Sequence, residues 1–139
     1  MTVIETASLP GAPTPEHLVR QFADRLAVGD IDGLVALYAP DAVVALGEGR
    51  EAAGTVAIQV AFRAALAAGI DLSVASVTTP IIAGGLACTT SITDSGAVLT
   101  QVARLEADGT WRWVRDGHRL RDLATAKPAK PATEPTAVA

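Results

Sequence analysis

Asp116 and His118 stand two residues apart at the end of the run Trp111-Arg112-Trp113-Val114-Arg115-Asp116-Gly117-His118. A carboxylate and an imidazole are the side chains that most readily exchange protons with a bound molecule near neutral pH. The run reads as a strand, in which residues i and i+2 share a face. That predicts Asp116 and His118 on one face with Arg112 and Val114, and Trp111, Trp113 and Arg115 on the other. The first face is a candidate polar site. The second is a packing or subunit-contact surface. Gln101, on the alternating run before it, supplies an amide that could orient a carbonyl. A simpler role for Asp116 stays open: an aspartate before glycine can bond to backbone at a strand end, or pair with Arg115, Arg119 or Arg121. His118 equally suits a rim position.

Other reactive residue types fall away. Cys88 is the single cysteine, so no internal disulfide forms, and nothing near it in sequence supplies a base. Asp30, Asp32 and Asp41 fit caps and turns, and no His or Cys accompanies them as a metal ligand. His17 fits a solvated first turn of a helix. No metal or cofactor is expected. The chain has 139 residues, half of them hydrophobic but only 4% aromatic, and a net charge of -4. That balance argues against a nucleic-acid footprint or an anionic membrane as partner. The start Met1-Thr2-Val3-Ile4-Glu5 lacks the pattern of a signal peptide, and no apolar run approaches the ~20 residues of a membrane span. A cytoplasmic location is expected.

The elements that must position the site follow from periodicity. Residues 1–13 read as a flexible lead-in. Thr14 caps a first helix with Pro15 at its first position, and Leu18, Val19, Phe22 and Leu26 form its buried face. Asp30 caps a short second helix running through Leu37 and Tyr38 to a stop at Pro40. A strand covers Ala42 to Leu46. The charged loop around Glu48, Arg50 and Glu51 is a solvated turn or a lid. Thr55 caps a third helix with Ile58 and Phe62 inward. Strands then follow: Asp71 to Thr79, Ile81–Ile82 and Leu86 to Thr93 about Gly84-Gly85, Ala97 to Leu105, and Trp111 to His118. Residues 124–139 form a Pro/Ala/Lys tail expected to be disordered. One domain over 14–123 remains.

Helices first and strands after give an α+β fold. A meander of long strands must curl, so the expectation is a cone-shaped, curved antiparallel sheet wrapped around N-terminal helices and enclosing a pocket. Phe22, Leu26, Val44, Leu46, Phe62, Leu99 and Val114 would wall that pocket for an apolar small-molecule ligand, with Gln101 as its polar contact.

The stretch Val28 to Ala42, the Gly54–Ile58 start of the third helix, and Asp108 to Asp116 together resemble the SnoaL-like branch of the nuclear transport factor two-like superfamily. The resemblance covers about residues 14–120. It implies a cone-shaped α+β barrel, commonly a homodimer packed through the outer face of its sheet. It also tests mechanisms. A ketosteroid isomerase site would need a base, a tyrosine and an acid where this chain has Leu46, Phe22 and Gln101. A limonene-type epoxide hydrolase would need charged partners near Ser91 and Thr93. In SnoaL-type polyketide cyclases a single aspartate, aligned with Asp116, acts as acid and base; His118 would be a second proton carrier or would hold Asp116 ionised. The resemblance thus implies a cofactor-free cyclase or isomerase acting through Asp116, with a non-catalytic ligand-binding or dimerisation module of the same fold as the alternative.

Overall fold

The computed structural model describes residues 12–123. The expected lead-in, apart from Ala12 and Pro13, and the expected tail lie outside the described residues.

The order is α1 (Pro15–Ala27), α2 (Ile31–Val35), β1 (Tyr38–Ala45), β2 (Glu51–Ala53), α3 (Thr55–Ala67), β3 (Ser76–Val77), β4 (Ile81–Ala83), β5 (Leu86–Ile92), β6 (Val98–Leu105) and β7 (Trp111–Asp116). The strands form one sheet in the order β2-β1-β7-β6-β5-β3, with β4 also paired to β5. Its pairs are antiparallel except β1 with β7, which run parallel. The α+β architecture is as expected. The parallel pair is the addition: β2, α3 and β3 to β6 separate β1 from β7 along the chain, so the last strand returns to β1 from the far side.

Thr14 caps α1, its hydroxyl accepting from the His17 backbone N–H. His17 is not in free solvent: its Nδ1 lies 2.6 Å from Thr14 Oγ1. α2 ends at Val35, and Tyr38 opens β1 instead of closing the helix. Pairing wins there over helix propensity, because Trp113 N–H donates to the Leu37 carbonyl and Tyr38 sits opposite Trp113. Pro40 then falls where the β1–β7 register shifts, which a proline tolerates. α2 also explains Gly33. Asp30 caps the Gly33 N–H at 2.9 Å, and a Cβ on Gly33 would come within 2.7 Å of the Asp30 carboxyl carbon. The cap of α3 is Gly54, at φ +89°, one residue before Thr55. Of the strand expected over Asp71 to Thr79, only Ser76–Val77 forms a strand, paired with Ile92 and Ser91, while β4 takes Leu86 to Cys88 of β5.

Burial alternates along the sheet. Ala87, Thr89 and Ser91 of β5 and Gln101 and Ala103 of β6 face the helices, while Cys88, Thr90 and Val102 are half-exposed on the other side. α1 lies over β5 and β7, and α3 over β1.

Inside the cone the rings of Phe22, Phe62, Tyr38 and Trp113 close a cycle, with centroids 5.4 to 6.0 Å apart. Each such tilted pair adds about 0.5–1.5 kcal/mol beyond its buried area. The cluster packs Phe22 and Phe62, two of the expected pocket-wall residues, against Tyr38 and Trp113.

Candidate functional site

Asp116 ends β7 on the inner face, but not by simple alternation. Gln101 pairs with Asp116, Val102 with Arg115, and Ala103 with Trp113, so Val114 has no partner across the ladder. One extra residue re-phases the strand. Trp113 and Asp116 therefore share the inner face, where strict period two would separate them. The expected outward face of tryptophans does not form. Trp113 is fully buried among the rings, and Trp111 is 8% exposed and bridged to Ala12. Val114, expected in the pocket wall, is buried outside the main core cluster.

The Asp116 carboxylate is 1% exposed and accepts from five donors. Oδ1 takes the backbone N–H of His118 at 3.1 Å, that of Arg119 at 3.0 Å and Gln101 Nε2 at 3.5 Å. Oδ2 takes Tyr38 Oη–H at 2.7 Å and Arg119 Nη1 at 3.1 Å. The first two bonds cap the turn after β7, as an Asx side chain does at a chain reversal. That turn swings Arg119 back into the cone. Arg119 Nη1 also donates to Tyr38 Oη at 2.7 Å, and its guanidinium carbon lies 4.0 Å from the Phe22 centroid and 4.5 Å from that of Trp113. On the other side, Trp113 Nε1 donates to Thr89 Oγ1 at 2.9 Å, and Thr89 donates to Gln101 Oε1 at 3.3 Å. A continuous buried network runs from Thr89 through Gln101 and Asp116 to Tyr38 and Arg119.

Burial holds the Tyr38 phenol well above its ordinary range, with Arg119 opposing and the Asp116 charge adding to it. Tyr38 is thus a neutral donor to Asp116 and an acceptor from Arg119. Burial works against a charged Arg119, but its Tyr38 and Asp116 partners outweigh that and raise it.

The structure brings Asp116 and Gln101 together as the sequence suggests. It does not bring in His118. Gly117 breaks the strand, and the exposed His118 ring turns outward, its Nδ1 3.2 Å from both the backbone N and the backbone O of Thr100. Only its backbone N–H serves Asp116. Among the expected wall residues, Phe22 and Phe62 belong to the ring cluster, Val44 pairs beside Asp116, and Leu99 pairs with Ser91 on the inner face. Leu46 is buried at the end of β1. Leu26 and Phe22 line an apolar cavity of about 190 Å³ with Ala23, Ala27, Leu72, Ser73 and Val74.

Tyr38 is the residue that sequence reading missed, because it was placed on a helix. Its signal was being the only tyrosine in the chain. Arg119 was one of three arginines weighed as partners of Asp116, and spacing could not choose among them. Among the described residues no three His, Cys, Asp or Glu side chains group as a metal site, and no helix is long and apolar enough to cross a membrane.

The family model for the SnoaL-like domain matches residues 19–123. No curated protein matches. Among solved structures, the chain is similar to a protein assigned as a calcium/calmodulin-dependent protein kinase type II association domain from Thiobacillus denitrificans, at 22% identity and TM-score 0.62, over 78% of this chain and 96% of that one. It is similar to a ketosteroid isomerase-like protein from Erwinia carotovora atroseptica, at 17% identity and TM-score 0.59, over 73% and 89%. An NTF2-like protein with a cystatin-like fold from Novosphingobium aromaticivorans matches at 22% identity and TM-score 0.55, over 73% and 75%. At these identities the shared property is the fold, and activities vary widely on one fold. By its matched domain, its curved sheet and its helices packed on the inner face, this chain belongs to the SnoaL-like domain family, on the cystatin-like fold of the nuclear transport factor two-like proteins.

Proposed function

We propose that this chain is a non-catalytic ligand-binding module of the isomerase and cyclase type of fold, taking a small and mostly apolar molecule into the cavity lined by Phe22, Leu26 and Leu72. The observation that carries this reading is the saturation of Asp116. A general base needs a lone pair within reach of the proton it removes. Five donors converge on this carboxylate, one of them a buried guanidinium. Tyr38 gives its proton inward to Asp116, so it offers no free acid to a ligand. The cavity is mostly apolar, with Ser73 as its polar side chain, and mostly apolar walls are usual for a small-molecule site.

One contact favours a second reading, the cofactor-free cyclase or isomerase with Asp116 as acid and base. The Gln101 bond to Asp116 Oδ1, at 3.5 Å, is the longest of the five. A substrate carbonyl that captured the Gln101 amide would release one lone pair of Oδ1 for proton transfer. A homodimer, on either reading, would use the outer face of the sheet, where Leu86 and Val98 are about half exposed, with the β4 pair Ile81 and Ile82 beside it.

The test uses an apolar cyclic ketone in D₂O with the wild-type chain and Asp116→Asn. On the binding reading the ketone raises the melting temperature and its α-hydrogens exchange at the buffer rate. Exchange that is faster with the wild type and lost in a folded Asp116→Asn chain would replace it with the enzyme reading.

A further inference from the structure

Two cavities meet along α1. The one lined by Phe22, Leu26 and Leu72 shares Ala23 and Val74 with a second of about 340 Å³, whose walls include Glu16, Arg20, Val77 and Thr79. Their facing residues run in step. Followed back along α1, the lining goes from Ala27 through Ala23 to Glu16, while across the gap it goes forward from Leu72 through Val74 to Thr79. The cavities therefore lie end to end, over roughly 16 Å of helix at 1.5 Å per residue. Local structure explains the gap. α1 packs on β5, and the facing segment is tied to the edge of the same strand, Ala75 N–H donating to the Ile92 carbonyl at 2.7 Å and Thr78 N–H to the Thr90 carbonyl at 3.0 Å. Between these two fixed walls α1 sets Ala23 and Ala27, whose methyl groups are too short to fill the space.

The two ends differ in chemistry. Phe22, Leu26 and Leu72 make one end apolar. At the other, the Arg20 side chain is exposed and has no hydrogen-bond or ion-pair partner among the described residues. Glu16, one turn earlier, does not pair with it; it stands in the first turn of α1, where the positive end of the helix favours its charge.

We infer that the two cavities form one groove for a linear fatty acid, whose chain passes Ala23 and Val74 into the apolar end and whose carboxylate rests on Arg20. This rests on the reading of the Phe22–Leu26–Leu72 cavity as a ligand site and names the ligand's class. That cavity, at about 190 Å³, is smaller than the roughly 300–1,000 Å³ usual for ligand sites, and the second cavity brings the groove into that range. An unpaired guanidinium presents the planar donors that suit a carboxylate.

Calorimetry on the full chain with octanoate, butanoate and octanol tests this. Octanoate should bind about tenfold or more tighter than butanoate, because the added methylenes are buried in the groove. It should bind about fivefold tighter than octanol, the upper range of an exposed ion pair. Arg20→Gln, at an exposed position, should remove the preference over octanol and leave octanol binding unchanged. Ala23→Trp, also exposed and at the junction of the cavities, should weaken both octyl probes. The wild-type contrasts need no variant to fold. Equal binding of octanoate and octanol, or a preference that survives Arg20→Gln, would overturn the carboxylate assignment and leave the ligand site standing. Octyl binding unchanged by Ala23→Trp would overturn the joined groove. No heat from either octyl probe at about 1 mM would sink both the inference and the ligand-site reading.

Discussion

Arg119 Nη1 lies 3.1 Å from Asp116 Oδ2, and neither side chain is more than 1% exposed. A buried pair of this kind gains little over a well-packed apolar replacement, but breaking it leaves one uncompensated charge inside.

Arg119→Met should therefore cost about 3–5 kcal/mol in urea unfolding. The double variant Arg119→Met with Asp116→Leu should recover part of that loss. A double variant as unstable as the sum of the two single ones would show that the residues are not coupled.

Tyr38 should give the protein an alkaline limit. Its proton is held more tightly in the folded state than at the ordinary value of 10.0. Below that value both states keep the proton. Above it the unfolded chain releases the proton while the folded one retains it. Stability contributed by Tyr38 is thus complete below about pH 10 and falls as pH rises toward the raised native value, by up to about 1.4 kcal/mol per pH unit. Tyr38→Phe should cost about 1–3 kcal/mol at pH 7, since Asp116 and Arg119 lose a partner, and should flatten this alkaline leg. Denaturation series at pH 8 to pH 11 on both proteins would read it; an equal slope in the two would remove Tyr38 as the cause.

The unpaired Val114 predicts that the strand tolerates its loss. Val114→Ala should cost about 1–3 kcal/mol, as an ordinary trimming of a buried side chain. Deleting Val114 leaves Trp113, Arg115 and Asp116 in regular alternation opposite Ala103, Val102 and Gln101, so the shortened chain should keep Asp116 inward and fold cooperatively. A deletion variant without a cooperative melting transition would show that the bulge itself is required, and not only the register that it sets.

The tryptophans should be shielded within a single chain. Both are buried here, Trp113 completely. Emission should be blue-shifted and resistant to acrylamide at protein concentrations where light scattering shows a monomer. Quenching that weakens only on self-association would return them to a subunit interface.

Much of the molecule was legible from residue order. Thr14-Pro15 marked the start of α1 because caps and N1 prolines act locally, and Gly84-Gly85 marked the β4–β5 hairpin because only a positive φ closes that turn. Leu99, Gln101, Ala103 and Leu105 were read onto one face of β6; Gln101 and Ala103 are buried there, while Leu105 at the strand end is exposed. The errors share a cause. Tyr38 was assigned to a helix because the apolar side begun at Ile31 runs through Leu37 to it and Pro40 follows as a stop, while its pairing with Trp113, 75 positions away in the chain, leaves no local signal.

The sequence by itself determined the α+β class, from local patterns of caps, turns and alternation, and the family, from its resemblance over three stretches; it also singled out Asp116 on β7 and Gln101 on β6 as polar candidates. Only the tertiary structure decided what those candidates form. One extra residue at Val114 turned Asp116 and Trp113 to the same face. The turn after β7 then chose Arg119 as the partner of Asp116, and β1 delivered Tyr38 to both. Side-chain direction after a bulge and the choice among three nearby arginines depend on long-range packing, because burial of the charged pair is tolerable only where every other group around it is already in place.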